Sequence, residues 1–402
     1  MARPKRQITK PRLLEFRQRA LLTQEQVAQA IGATPEMVRR HENGHSRPVA
    51  RYREQYSLLF GANEEQLGFQ VLDGPPVPAG VAAEDISAIM SRVHRLESGG
   101  VGTETLRCLE IAIDDFVARY EQVGPKPLIP ALIVQRQSIE ALIEDCRNPG
   151  QRERLFVLAG QTSGLLAYMA VNRARFPLAR AYCTEAFQLA SLVSDRDLQA
   201  WVRGTQSFCE YYAGDYKSSY QCALDGRTYA GSGPQSVRLA VNGEARALGK
   251  LGNVAGVHSA VERAYELAAT ATQPLGVSPC ISFGSYSLAR TASNAATAYV
   301  ALGLPEQVSK HASIAMPVFD ASDSKWSQSL IRLDLANSIA ASRNGDAERA
   351  GTLVQEALAF SADKPITSVI QRSIDFSRGA EKWRDVQAIK DAKVAIELTQ
   401  LA

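Results

Sequence analysis

From residue 152 onward the chain repeats one short pattern, and that pattern leaves few folds open. Turns stand at Ala174-Arg175-Phe176, Gly214-Asp215-Tyr216, Gly252-Asn253-Val254, Gly303-Leu304-Pro305 and Gly345-Asp346-Ala347, spaced by 40, 38, 51 and 42 residues. Five residues after each turn's first position comes a small or β-branched residue: Ala179, Ser219, Val257, Val308 and Ala350. Twelve after it comes another small one: Ala186, Gly226, Ala264, Ala315 and Ala357. Residues at such offsets fall on one face of a helix. Small side chains there let neighbouring helices approach closely, where bulk would push them apart. Helical periodicity runs through nearly all of the chain, alanine is abundant and β-branched runs are rare, so the expected class is all-α.

The repeat resembles the tetratricopeptide repeat, a helix pair of about 34 residues with a Gly-Asp turn. The spacings here are longer, so the repeats are degenerate, and a generic α-solenoid is the alternative. The long interval matches an extra loop over 272–284. In tetratricopeptide domains the first helix of each pair lines a concave face. Counting back from the turns, the resemblance implies a lining of Tyr168, Asn172, Trp201, Phe208, Tyr212, Asn242, Arg246, Lys250, Arg290, Asn294, Arg332 and Arg343. That set holds five cations and no carboxylate. Its asparagines can both donate to and accept from a peptide backbone. A short peptide or a small anionic molecule is therefore the expected ligand.

Residues 23 to 44, TQEQVAQAIGATPEMVRRHENG, make a second pattern. Thr23 and Gln26 form a capping box, and Val27, Ala28 and Ile31 make an apolar stripe. Gly32 ends that helix. Thr34 caps the next, with Pro35 at its first position, where a missing N–H costs nothing. Val38 faces inward, Glu36 and Arg40 share an outward face, and Asn43-Gly44 stops the helix.

This segment resembles the XRE-type helix-turn-helix of phage-repressor-like regulators. The family's ordered positions fall on Thr23, Gln24, Glu25, Ala28, Gly32, Thr34, Val38, Glu42, Asn43 and Gly44. One departure is His41, where the family carries a large apolar residue. The resemblance implies that Thr34, Pro35, Glu36 and Arg40 approach base edges. It also implies backbone contacts from Gln24 and from the loop after the second helix, where Asn43 begins and Arg47 lies. Arg39 and Arg51 are further phosphate-contact candidates, Arg40 is the expected bidentate guanine contact, and Glu36 is expected to meet a cytosine amino group or to steer Arg40. Residues 1–60 hold twelve Lys/Arg against five Glu, while the remainder holds 33 basic against 37 acidic side chains. Positive charge gathered in one module is the electrostatic footprint of phosphate contacts.

The chain thus divides into a DNA-binding domain (1–70), a Pro/Gly-rich linker with a helix (71–102), a helical hairpin followed by repeats (103–365), and terminal capping or dimerisation helices (366–402). A basic arm over residues 1–10 precedes the first domain. A fourth helix presents Tyr52, Tyr56, Leu59 and Phe60 to its core, and a short fifth helix is expected near Glu64 to Leu67.

The chain lacks GxSxG, P-loop and HExxH motifs and paired His ligands, so neither an enzyme nor a cofactor or metal site is expected. Six scattered cysteines with no CxxC pair read as core residues in a reducing cytoplasm. No apolar run approaches a membrane span, and no membrane partner is expected.

The same architecture is seen in peptide-pheromone quorum-sensing regulators and in a group of actinobacterial regulators that this chain resembles more closely. The resemblance implies a cytoplasmic transcriptional repressor. A single module reads few base pairs, so a homodimer on a pseudo-palindromic operator is expected. The rival is an interaction scaffold whose solenoid docks a partner protein.

Overall fold

A computed structural model describes residues 12–46, 48–64, 66–69, 86–96, 101–270 and 274–401 of the 402-residue chain. The basic arm, Arg47 and the Pro/Gly-rich stretch at 71–82 lie outside the described residues. The protein is all-α: every regular element among the described residues is helical. Two units divide it, Met1–Ala83 and Glu84–Ala402.

The first unit holds α1 (Leu13–Arg19), α2 (Gln24–Ile31), α3 (Pro35–Glu42) and α4 (Ala50–Phe60). The capping box of α2 forms as its residues dictate: Thr23 Oγ1 accepts from the Gln26 amide at 3.2 Å, and Gln26 Oε1 accepts from the Thr23 amide at 2.8 Å. Gly32 then takes φ 67°, a conformation open to glycine at little cost, and Thr34 caps α3 at Met37. Leu13, Val27, Ala28, Ile31, Val38, Tyr56 and Leu67 close the core. Between Glu64 and Leu67 the described chain is a turn, not the helix expected there. Asn63 and Gln66 exchange backbone-to-side-chain hydrogen bonds, which satisfy the amides of a single turn without propagating it.

In the second unit α5 (Ile86–Leu96) packs on a hairpin of α6 (Thr103–Val123) and α7 (Pro125–Asp145), turned at Gly124. Helix pairs follow: α8 (Pro149–Asn172) with α9 (Phe176–Leu192), and α10 (Arg196–Ala213) with α11 (Tyr216–Ala230). Next comes α12 (Ser236–Arg238), which runs through a π-helical turn (Leu239–Ala245) into α13 (Arg246–Lys250) and is backed by α14 (Val254–Thr270). Then come α15 (Leu288–Ala301) with α16 (Pro305–Asp320), α17 (Lys325–Ala341) with α18 (Ala347–Ser361), and finally α19 (Thr367–Gly379) and α20 (Gln387–Leu401).

All ten small or β-branched residues at the five- and twelve-residue offsets are buried. Their partners explain the requirement. A Cβ at Gly226 would lie 2.6 Å from Leu239, and outside this set one at Gly249 would lie 2.5 Å from the Ala298 carbonyl oxygen. Pro149–Val171 is long and apolar enough to cross a membrane, yet 78% of its apolar window is buried among the other helices.

Candidate functional site

On α3 the residues expected to read bases lie together on an open face. Thr34, Pro35, Glu36, Arg39, Arg40 and Asn43 are all exposed, as is Arg51 on α4. What holds this face is a polar knot beneath it. Glu42 is buried, and Arg17 of α1 donates to both its oxygens, at 2.5 and 3.2 Å. Gln24, expected to contact the DNA backbone, donates to Glu42 Oε2 at 2.7 Å and so ties α2 to α3. His41 replaces the expected apolar residue and is buried too, its Nδ1 3.2 Å from Tyr56 Oη. Burial lowers its pKa, with Arg40 adding to the effect, so the neutral ring fits the core.

The hydrogen-bond partner of Glu36 in this structure is Arg39 and not Arg40. Glu36 accepts from Arg39 at 2.8 and 2.9 Å, three residues on, and that hydrogen-bonded pairing depresses the carboxyl pKa. The Arg40 guanidinium makes no hydrogen bond or ion pair among the described residues. Arg47 lies outside them.

In the second unit the expected concave lining is only partly assembled. Tyr168, Asn172, Phe208, Tyr212, Asn242, Arg246, Arg290 and Asn294 surround one cavity, but its volume is about 50 Å³. Most of their polar groups are taken up by one another and by nearby groups, Asn172 Oδ1 and Arg246 Nε excepted. Asn172 donates to Tyr120 Oη, Asn242 donates to Tyr286 Oη at 3.0 Å, and Arg246 donates to Asn242 Oδ1 at 2.6 Å and Tyr212 Oη at 2.8 Å. Phe208 stacks on Tyr168 with ring centroids 4.8 Å apart, and Asn294 donates to the Arg290 carbonyl at 2.9 Å.

Residues 278–286, just before α15, pack into the same region and add Cys280 and Tyr286 to the cavity wall. Ser282 accepts at its carbonyl from Trp201 Nε1 at 2.8 Å, Phe283 packs on the Trp201 ring, and Ser278 accepts at its carbonyl from Arg290 Nε at 2.8 Å. Trp201 thus meets the inserted loop and lines neither this cavity nor the wider one below. Arg332 points elsewhere, to Asp320 at 2.8 Å and Glu356 at 3.0 Å, and Arg343 is exposed beyond the end of α17.

The expected surplus of cations is largely answered by carboxylates from other helices. Arg290 pairs with Glu121 of α6, which also accepts from the Cys280 amide at 2.8 Å and from Ser324. Burial pushes the Glu121 pKa up, but Arg290, Ser324 and the Cys280 amide outweigh it and leave the carboxyl below its ordinary value. Arg246 differs. It is buried with no carboxylate in ion-pair contact among the described residues, and it lies 4.2 Å from the Tyr211 ring centroid. Burial raises the Tyr212 pKa, yet Arg246 and Arg372 overcome it and leave the phenol below its usual range.

A wider cavity, about 550 Å³, opens beside this cluster and takes in Tyr212 and Lys250 from the expected set. Its other polar walls were not anticipated: Tyr211, Tyr216, Asp334, Asn337, and Gln371, Arg372, Asp375 and Arg378 of α19. The signal for the last four lay in their spacing, which puts them along one polar face of a terminal helix read only as a cap or dimer contact.

No family model matches the chain, and no curated protein matches its sequence.

Proposed function

We propose that this chain is a sequence-specific DNA-binding transcriptional regulator, a repressor built from an XRE-type helix-turn-helix and a tetratricopeptide-like effector domain. The observation that carries the reading is the face of α3. It presents Thr34, Pro35, Glu36, Arg39 and Arg40 to solvent, directly after a tight Gly32 turn, while Glu42 and His41 anchor its opposite side. A helix held from behind with its N-terminal residues bare is the form that enters a major groove. Arg40, whose guanidinium makes no hydrogen bond or ion pair among the described residues, keeps its full fork of donors for the O6 and N7 of guanine. Arg39, paired with Glu36, and Arg51 on α4 suit phosphate contacts, and the twelve cations against five acids in residues 1–60 supply the long-range attraction.

The protein acts as a homodimer on a pseudo-palindrome, with recognition helices about 34 Å apart or a multiple of it. An anionic effector bound in the second unit adjusts DNA affinity. No metal or organic cofactor takes part.

The test is capture of genomic fragments by purified protein at physiological salt, wild type beside Arg40→Ala. Wild type should enrich a few sharp sites sharing an inverted repeat. Arg40→Ala should lose about 1–3 kcal/mol at those sites and relax one base pair per half-site, with little change on random DNA. Equal losses on specific and random DNA would remove Arg40 as a base contact, and diffuse capture by wild type would favour the scaffold reading.

A further inference from the structure

The cavity of about 550 Å³ is of the size that small-molecule sites occupy. Its charges are unevenly used. Arg372 and Asp334 form a tight pair at 2.7 Å, and Asp334 takes a second hydrogen bond from Thr297 at 2.6 Å, so both are spoken for. Asp375 is held loosely, 3.5 Å from Lys250 and 3.8 Å from Arg378. Two cations at the rim therefore share one carboxylate at long range, and most of their donors are free. Behind this wall stands Arg246, buried without an acid partner, with its Nε unbonded. The lining thus carries more positive than negative charge.

The helices that end at the cavity contribute partial negative charge from their last carbonyls. Gln371 Nε2 already answers one of them, the Tyr212 carbonyl, at 3.0 Å. An anion in this cavity must accordingly be met by the Lys250 and Arg378 side chains at the rim and not by backbone. Beside these cations the lining turns apolar: the Tyr211 and Tyr216 rings meet edge-on with centroids 5.5 Å apart, Lys250 Nζ lies 6.0 Å from the Tyr216 centroid, and Val300 and Ala301 continue the surface.

From this juxtaposition we infer that the cavity between α10, α13, α15, α17 and α19 binds an aromatic monocarboxylic acid of one or two rings. Its carboxylate bridges Lys250 and Arg378, and its ring lies against Tyr211 and Tyr216. The assignment deepens the regulator reading by giving its effector a site and a chemical class. Occupancy ties α19 to α13, the two elements that carry the rim cations.

The test uses the purified full-length protein without DNA, so its failure leaves the DNA-binding reading standing. Calorimetric titration compares 2-naphthoate with its neutral isostere 2-naphthamide and with the cation 2-naphthylmethylamine. The acid should bind at least about tenfold more tightly than either. Lys250→Gln and Arg378→Gln, both rim changes, should each weaken the acid by about tenfold and leave the amide unchanged. Lys310→Gln, an exposed lysine of α16 that does not line the cavity, serves as the charge-matched control and should bind as wild type does. Equal binding of amide or amine, wild-type affinity in both rim variants, or no heat from the acid would overturn the assignment. So would binding of a tetrapeptide with a free C-terminus in place of the aromatic acid.

Discussion

His311 lies buried on α16 between two tyrosines, its ring 5.4 Å from that of Tyr299 and 5.6 Å from that of Tyr265, with Nδ1 2.9 Å from Tyr265 Oη. Burial, assisted by Lys310, lowers its pKa from 6.5 to about 4. The unfolded chain takes up the proton near 6.5, and the folded chain resists it until about 4. The stability contributed by the neutral ring is therefore fully present above pH 6.5 and is lost as the pH falls toward 4. After allowance for residual solvent screening, the loss should reach about 2 kcal/mol at the acid end of that window. Urea unfolding at pH 7 and 4.5 measures it, and His311→Gln should flatten the acid limb. A variant as acid-sensitive as wild type would remove His311 as the cause. His41, also depressed by burial, adds a loss of the same sign in the first unit.

Helix contacts in the second unit are set by what a single Cβ would strike. At Gly249 it would lie 2.5 Å from the Ala298 carbonyl oxygen of α15, which is backbone and cannot turn aside. At Gly160 the nearest atom, 2.9 Å away, is Leu198 Cδ2, the end of a side chain that can change rotamer. Gly249→Ala should therefore cost about 2–3 kcal/mol, at the upper end of the range for overpacking, and Gly160→Ala clearly less. Thermal melts of the two variants make the comparison. A reversed order would mean that α13 can slide along α15. The π-helical turn at Leu239–Ala245 belongs to the same scale. It brings Asn242 and Arg246 inward together while Gly243 lies so close to Ala223 that a Cβ would come within 2.6 Å of it.

For the second unit as a whole, Glu121 joins parts of the chain far apart in sequence. From α6 it meets the inserted loop at Cys280, α15 at Arg290 and the start of α17 at Ser324. Trp326 adds a ring contact to Tyr120, with centroids 5.2 Å apart. These contacts bring the first helical layers against the fourth and fifth pairs. Glu121→Gln keeps the volume but leaves Arg290 buried and unpaired. Breaking a buried pair in this way should cost about 3–5 kcal/mol. Hydrogen exchange should speed up across 274–287, where the loop loses its anchor. Unchanged exchange there would show that the bonds from Trp201, Gln235 and Arg290 hold the loop without Glu121.

Local physics was legible in the residues themselves. Capping pairs such as Thr23 with Gln26, the positive-φ turn at Gly32 and the small residues at fixed offsets act over a few positions, so their spacing announces them. The exposed face of α3 followed from that periodicity, because an inward Val38 leaves Glu36 and Arg40 outward. What spacing could not carry was which groups meet across long stretches of chain. Counting back from the turns puts twelve side chains on one open groove. Tertiary contacts close it around eight of them, with the loop before α15 packed into the same region and Glu121 as counterion to Arg290, while α19 supplies much of the wider cavity. An arginine reads alike in sequence whether it faces solvent or a carboxylate from a distant helix. Only the packing that brings distant helices together decides which cations are fully paired and which, like the rim pair Lys250 and Arg378, share a single carboxylate at long range.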